Sequence, residues 1–457
     1  MSLHVVTKKH FFSDNKDITP STRRAWFVVL VASLFFFYEF IQMNMFNAIS
    51  SDLMQAFGLN AEQLSIMSSF YLLANVIFLF LAGMLLDRCD TRHVILVSLA
   101  ICIVGTALLS TAHHVYFATI CRFLTGIGSA FCFLSVIRLA SRWFPADRMA
   151  LVTGSVVMMA MLGGMASQTP FTLLAQTLGW RIALLLDAGL GCLIFIIIAL
   201  CVKNHPHGHQ AKHEAEQLEL KSLGFFKSLK MAFSSLPNWI AAIYTCLMNL
   251  PIGILGGLWG ILYLVKSEHF TTVHAADVTS MLFLGTVIGS PIVGWISDRL
   301  GRRKLPMVLG ALITFIFMML VLYGAALTFS EFLIVFFILG LVSSTQIISY
   351  ALVAENSRRI ITAMSVSVVN ITVLSGLGLL QSFYGYLMDK HIAYRLGHVS
   401  VNFTGADFKW AMLIFPVAFI LAIISTMLIT ETYCKPLEER APISEQIEIK
   451  AKSALQQ

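Results

Sequence analysis

Gly83-Met84-Leu85-Leu86-Asp87-Arg88-Cys89-Asp90-Thr91-Arg92 closes one apolar run of the chain, and Gly294-Trp295-Ile296-Ser297-Asp298-Arg299-Leu300-Gly301-Arg302-Arg303-Lys304 closes another. In each copy a glycine is followed four places on by an acid, Asp87 or Asp298, and then by basic residues. The copies start 211 residues apart. A polar hinge that recurs in a very apolar chain points to duplication, with two similar halves turning at the same place.

Composition decides the solvent. Of 457 residues, 58% are hydrophobic and only 12% charged, too few polar groups to cover a surface facing water. An apolar run of roughly 18 residues or more crosses a bilayer as a helix, because lipid offers the backbone no hydrogen-bond partner. In the first half such runs span about Ala25–Ile49, Ser65–Leu86, Val94–Thr111, Val115–Leu139, Met149–Leu173 and Trp180–Val202. In the second they span about Trp239–Val265, Val278–Ile296, Leu305–Leu327, Phe332–Ala354, Ile360–Met388 and Trp410–Thr430. The expected fold class is an all-α polytopic membrane protein with twelve transmembrane helices in two six-helix bundles, residues 25–202 and 237–432. Tails at 1–24 and 433–457 and a polar linker at 203–236 complete the chain, with a short surface helix expected near Phe225–Phe233. The longest external loop is expected at Asp389–Lys409.

The repeat is visible residue by residue. Thr153, Ser155, Val156, Val157, Leu162 and Gly164 match Ser365, Ser367, Val368, Val369, Leu374 and Gly376 at an offset of 212, within one residue of the hinge offset.

The formal net charge of +7 needs no nucleic acid to explain it. All Lys and Arg except Arg122, Arg181, Lys266, Lys390, Arg395 and Lys409 fall on the tails, the linker and alternate loops. That bias places both termini in the cytoplasm. The polar first 24 residues carry no signal-peptide core, so the first helix is its own insertion signal. The eight cysteines fall in helices or cytoplasmic segments, and no disulfide framework is implied.

With hinges, halves and polarity in place, the chain resembles the major facilitator superfamily of secondary transporters over residues 25–432. The second hinge matches that family's Gly-x-x-x-Asp-Arg-x-Gly-Arg-Arg loop, while the first has Asp90 and Thr91 where glycine and a base are usual. Arg122-Phe123-Leu124-Thr125-Gly126-Ile127-Gly128 resembles its Arg-x-x-x-Gly-x-Gly helix motif. The fifth helix has Gly163-Gly164 without the Gly-Pro of the antiporter signature, which favours import over drug efflux. Phe37-Tyr38-Glu39-Phe40 and Leu258-Trp259-Gly260-Ile261 are loosely similar to the phagosomal nutrient transporter branch of intracellular bacteria. The resemblance implies transport by alternating access, a bacterial inner membrane, a monomer and no cofactor.

Charges inside a membrane are expensive and mark function by default. Glu39 lies about fifteen residues into the first helix, roughly 22 Å deep at ~1.5 Å per residue. A carboxylate held away from water takes up a proton more readily, so Glu39 is a candidate proton or substrate-ammonium site, with a structural carboxylate as the alternative. Tyr38, Gln42 and Asn44 stand beside it. Arg122 can bind a substrate carboxylate or hold a nearby acid ionised, or it can simply pack against carbonyls. Asp187, six residues beyond Arg181, is read as solvated by interfacial water, with a second protonation site as the alternative. In the seventh helix Asn249, Pro251, Gly253, Gly256 and Gly257 interrupt the apolar run. Proline frees a carbonyl that can face substrate. Tyr244, Trp259, Gln346, Tyr350, Asn370 and Gln381 are further cavity candidates, each equally readable as helix-packing glue.

Gly83, Asp87, Arg88, Gly294, Asp298, Arg299 and Arg302 are candidate gating residues, since an acid at a helix end can cap a neighbouring helix in one state and release it in the other. The same charges also serve as topology determinants. His205, His207, His209 and His213 are read as flexible linker rather than metal site, and Asn402-Phe403-Thr404 is a sequon only in a eukaryotic host.

The expected activity is proton-coupled or facilitative uptake of a small polar organic solute. Amino acids or short peptides come first, because Glu39 and Arg122 complement an amine and a carboxylate. The expected partners are that solute, protons and the lipid bilayer. Alternatives are an exporter or siderophore or organic-anion carrier of the same fold, and a non-transporting membrane receptor. No nucleophile–base pair or metal-ligand motif favours an enzyme.

Overall fold

A computed structural model describes residues 22–144, 148–203, 233–324, 327–357, 362–398 and 403–435. The histidine-rich linker, the surface helix near Phe225–Phe233, Asn402 and the tails lie largely outside the described residues. So do the side chains of Asp87 and Arg88.

Among the described residues, twelve helical units follow one another, several broken at mid-depth. They are α1 (Thr22–Asn44, continuing as Phe46–Phe57), α2 (Ala61–Arg88), α3 (Thr91–Ser110), α4 (Val115–Ser129 and Cys132–Trp143), α5 (Met149–Ala166 and Thr169–Leu178) and α6 (Trp180–Cys201). After the linker come α7 (Leu236–Met248, Pro251–Trp259 and Gly260–Ser267), α8 (Thr272–Leu300), α9 (Lys304–Tyr323), α10 (Phe329–Ser343 and Gln346–Asn356), α11 (Thr362–Leu396) and α12 (Gly405–Ala411 and Ile414–Leu428). Eleven are long and apolar enough to span a membrane, and α7, bent by 41° at its break, makes the twelfth.

Several helices outrun their apolar runs, because caps extend them into polar sequence. Asn60 caps α2 in a reciprocal box with Gln63, starting the helix at Ala61 rather than Ser65. Helix α11 runs on to Leu396 and α12 starts at Gly405, so the external loop expected from Asp389 is much shorter.

The last residues of α2, α4, α8 and α10 lie at the same end as the start of α1 and the end of α12, called here the tail end; the other end is the far end. Helices α1–α6 pack together, as do α7–α12, and the bundles meet along α2 with α11, α5 with α8, and α1 with α7.

This seam is knit in its far half. Asp389 of α11 accepts the main-chain N–H groups of Ala61 (3.1 Å) and Glu62 (2.8 Å) at the start of α2. Ser69 donates to Gly378 O at 2.9 Å, and Thr169 donates to Asp277 at 2.7 Å. At mid-depth Met161, Ile252 and Phe283 form an apolar plug. Among the described residues, the hydrogen bonds recorded between bundles all lie in this far half or at its border.

The π-helical stretch Pro251–Trp259 of α7 explains part of the seam. Its wide turns bond each amide to the carbonyl five residues back, as Gly260 N does to Leu255 O. Asn47 of α1 reaches the main chain at the end of this stretch, donating to Leu255 O (2.9 Å) and accepting from Ile261 N (3.1 Å). Gln168 of α5 donates to Gly256 O at 3.0 Å. Main-chain groups of α7 beyond Pro251 thus clasp the opposite bundle, where the sequence led us to expect a carbonyl facing substrate.

Candidate functional site

Just on the tail side of the seam, a cleft with room for about one water lies between the bundles. Asn44, Tyr71 and Arg122 line it from the first bundle, and Gly253, Gly257 and Gln381 from the second. Two glycines wedge α4 into this place. A Cβ on Gly126 would fall 2.3 Å from Tyr71 O, and one on Gly128 would fall 2.4 Å from Ser98 O. Only glycine permits such backbone approach, which gives the Arg-x-x-x-Gly-x-Gly spacing its physical meaning.

Arg122 is fully buried. Its Nη1 donates to Gln42 O at 2.7 Å. The guanidinium lies 4.0 Å from the ring centroid of Phe46 and 4.6 Å from that of Tyr71, a cation–π sandwich. Its Nε and Nη2 have no partner. An unmatched guanidinium edge inside a membrane protein is costly to leave unmade, and it has the fork geometry that a carboxylate matches with two parallel bonds.

Glu39 sits behind Tyr71. The Tyr71 hydroxyl donates to Glu39 Oε1 at 2.5 Å and the Ser129 hydroxyl donates to the same oxygen at 2.8 Å. Asn75 supports Ser129 from 2.5 Å. Glu39 Oε2 is buried without a partner, and among the described residues no cation is recorded in an ion pair with the carboxyl group. Tyr71 thus shows its ring to Arg122 and its hydroxyl to Glu39. Sequence reasoning missed Tyr71, Asn75 and Ser129. The signal that could have found two of them is the polar pair Tyr71 and Asn75, one turn apart on a common helix face.

The remaining candidates divide by place. Gln42 turns away from the cleft, its amide donating to Asp187 and accepting from Thr106 at 2.6 Å. Tyr38 is buried with its hydroxyl unpartnered. In the second bundle Asn249 donates to Gln346, and the Tyr350 hydroxyl donates to Asn370 at 2.9 Å, so these four satisfy one another. Tyr244 is tied to Met307 O and Thr345, both at 2.9 Å. Trp259 stands in the closed seam rather than on the cleft. Its indole donates to Ser65 at 3.2 Å and packs against Tyr384 and Phe408.

At the tail end, Gly301 adopts φ 61° and turns the chain out of α8. The reversal brings Arg303, which the sequence did not single out, onto Asp298 at 2.6 Å and onto Glu355 of α10 at 2.6 Å. Arg299 lies over the Trp295 ring and Arg302 faces solvent. Glu431, past α12, accepts the main-chain N–H groups of Arg303 (2.8 Å) and Lys304 (2.9 Å) at the start of α9. Asp298 is thus paired within its own bundle. In the first hinge Asp90 caps α3 through Arg92 N at 2.9 Å, while the Arg92 guanidinium donates to Ala199 O. A Cβ on Gly83 or Gly294 would meet nothing within 4 Å.

Comparisons with known proteins fit this architecture. A probable sulfoacetate transporter of Cupriavidus necator is 22% identical over 60% of this chain and 65% of its own length. A lysosomal dipeptide transporter of Danio rerio is 26% identical over 58% of this chain and 60% of its own. A sialic acid transporter of Escherichia coli is 21% identical over 66% and 71%. The chain thus spans about three fifths to two thirds of the length of the first two relatives. Among solved structures, a bacterial homolog of the human lysosomal transporter Spinster, described as inward-facing and unoccupied, superposes with a TM-score of 0.73. That likeness covers 93% of this chain and all of the other at 16% identity. A D-xylose–proton symporter gives 0.70 over 90% and 99% at 14% identity. At such identities these likenesses speak for the fold alone. The sequence profile described as Major Facilitator Superfamily matches residues 31–379 and again 252–451, and the chain belongs to that superfamily.

Proposed function

We propose that this protein is a proton-coupled carrier of small organic solutes that bear a carboxylate, working by alternating access between the two bundles. The observation that carries the reading is Arg122: a buried guanidinium, held by one carbonyl and two aromatic faces, with Nε and Nη2 free at a cleft between bundles. A solute carboxylate gives those donors the partner they lack. Glu39 serves as the proton site. Tyr71 separates it from the cleft and touches both groups, so occupancy of Arg122 can be felt at Glu39.

Two solute classes fit. A zwitterion, such as an amino acid or short peptide, uses Arg122 for its carboxylate and the polar Asn44 and Gln381 side for its amine. A simple organic acid uses Arg122 alone, and the relatives named for sulfoacetate, sialic acid, D-galactonate and gentisate favour it. The relative named for dipeptides favours the first. With the tails in the cytoplasm, as the charge bias implies, the far-end seam is the closed outer gate and the cleft belongs to an inward-open carrier. Asp298, Arg303 and Glu355 are then a latch on the second bundle, free to exchange partners when the tail end closes.

A thermal-shift screen of the purified protein tests the reading. The panel holds amino acids, dipeptides, organic acids, nucleosides and neutral sugars, each measured on wild type and Arg122→Lys. Stabilisation by carboxylate-bearing compounds that Arg122→Lys abolishes supports the proposal. Stabilisation by an uncharged sugar or nucleoside, unaltered in Arg122→Lys, overturns it.

A further inference from the structure

Asp187 of α6 is only 6% exposed, although its distance from the helix start suggested interfacial water. It lies on the buried face of α6 with Ala183, Leu184, Ala188 and Gly191, turned into the first bundle. Its Oδ2 accepts the amide of Gln42. Gln42 is held in turn by Thr106, whose hydroxyl donates to Oε1 at 2.6 Å, and its main-chain carbonyl accepts Arg122 Nη1 at 2.7 Å. One residue therefore touches both the buried acid and the buried base, while acid and base do not touch each other. The Tyr38 hydroxyl, buried and unpartnered, stands one helical turn along α6, where a Cβ on Gly191 would come within 2.8 Å of it.

The charged and titratable groups around this spot can be named helix by helix. From α1 come Tyr38 and Glu39, the latter turned the opposite way toward Tyr71 of α2. From α3 comes the buried Cys102 thiol, and from α4 Arg122. Helix α5 carries no ionisable side chain. On α6 itself stand Cys192 and Arg181, whose guanidinium is occupied with Ala112 O at 2.8 Å. Among the described residues, no ion pair within 4 Å is recorded for Asp187 or Glu39. Among the described residues, the bundle interior thus holds two acids outside any ion pair against one base, and an unpaired carboxylate is costly to keep ionised there.

We infer that Asp187 is a second proton-binding site, joined to Arg122 through Gln42 and separate from Glu39. One proton makes the set of three groups neutral. When a solute carboxylate compensates Arg122, both acids hold protons, so Asp187 provides the place for the additional one. This last role rests on the carboxylate reading of Arg122, but the proton site itself does not, and it can be read without any solute.

Infrared difference spectra between acid and neutral pH, taken on the full chain in lipid nanodiscs, report the C=O stretch of protonated carboxyl groups. Wild type is expected to show separate bands from Glu39 and Asp187. Carbon-13 labelling of aspartate side chains should shift the second band alone, and Asp187→Asn should remove it and leave the first. Glu39→Gln should do the reverse. If Asp187→Asn fails to fold, Gln42→Met in labelled protein keeps the test alive, because losing the Gln42 bond must raise the frequency of the aspartate band. The inference is overturned if no pH-dependent aspartate band appears, if that band survives Asp187→Asn, or if it ignores Gln42→Met. Failure of the Glu39 band alone would instead count against Glu39 as the proton site.

Discussion

Asp389→Asn should loosen the far-end seam without unfolding the protein. The Asp389 carboxylate, 4% exposed, spans the bundle interface to accept Ala61 N and Glu62 N at 3.1 and 2.8 Å. Helix α2 does not depend on these bonds for its own start. Asn60 Oδ1 already accepts Gln63 N at 2.8 Å, and Gln63 answers Asn60 N at 3.1 Å. The loss therefore falls on the contact between bundles. Asparagine keeps one acceptor oxygen and loses the charge that faces the helix dipole. Removing such a cap costs about 1 kcal/mol and its charge–dipole part up to about another 1 kcal/mol. Water solvates the exposed N–H groups once the bundles part, so about 1–2 kcal/mol is the upper range. At 1.4 kcal/mol per tenfold, that moves the balance of far-end closed to far-end open by roughly 5- to 30-fold. Spin labels at Tyr116→Cys and Tyr394→Cys, two far-end positions 83% and 91% exposed on opposite bundles, read the separation by pulsed electron resonance in a cysteine-free background. Growth of the longer-distance population is expected in Asp389→Asn. An unchanged distance distribution, in a variant that melts like wild type, would refute the assignment of Asp389 as a fastener of this gate.

Three further outcomes follow from the packing and the tail-end charges. Gly126→Ala should lower the melting temperature, since the new methyl meets Tyr71 O at 2.3 Å and overpacking of this kind costs about 1–3 kcal/mol; a melt in detergent equal to wild type would contradict the wedge. Gly294→Leu, by contrast, enters open space in this conformation, so it should leave that melt unchanged yet slow solute exchange by blocking closure of the tail end, which a filter-binding exchange assay reads. Glu431 offers a pH test: burial pushes its carboxyl up, but the main-chain N–H groups of Arg303, Lys304, Tyr433 and Thr432 hold it below the usual range. Its contribution to stability is then fully present above the unfolded value of about 4.3 and is lost as pH falls through the lower folded value. The melting-temperature gap between wild type and Glu431→Gln should therefore stay constant near neutrality and shrink only in acid, and a gap that widens in acid would reverse the sign.

How far sequence carried the account can be told from particular residues. Helix number, the two halves and the family follow from apolar runs and from the hinge pair, because both are local patterns with a physical period. Glu39 and Arg122 stand out because a charge in an apolar run is rare enough to notice. Tyr71 and Ser129 do not, since a lone hydroxyl in a membrane helix usually bonds its own backbone, and nothing local tells which neighbour it faces. Asp187 misled because distance from a helix end was used for depth, whereas the packing of α6 against α1 and α3 buries it regardless. Trp259 was expected at the cleft, but the π-helical turns from Pro251 change the face that later residues present, a phase shift that no regular periodicity foresees. The first hinge departs from the family loop at Asp90 and Thr91. At the tail end Arg303 ties Asp298 to Glu355, and the Arg92 guanidinium donates to a carbonyl of α6.

Proton coupling through Glu39 is the central claim of the proposed function. It is tested most directly in proteoliposomes loaded at one pH and diluted into another, with uptake followed for whichever carboxylate-bearing compound the thermal screen identifies. Wild type should accumulate the compound above its outside concentration under an inward proton gradient, and Glu39→Gln should only equilibrate it, at a level that ignores the gradient. Equal gradient-driven accumulation by both proteins would contradict the account.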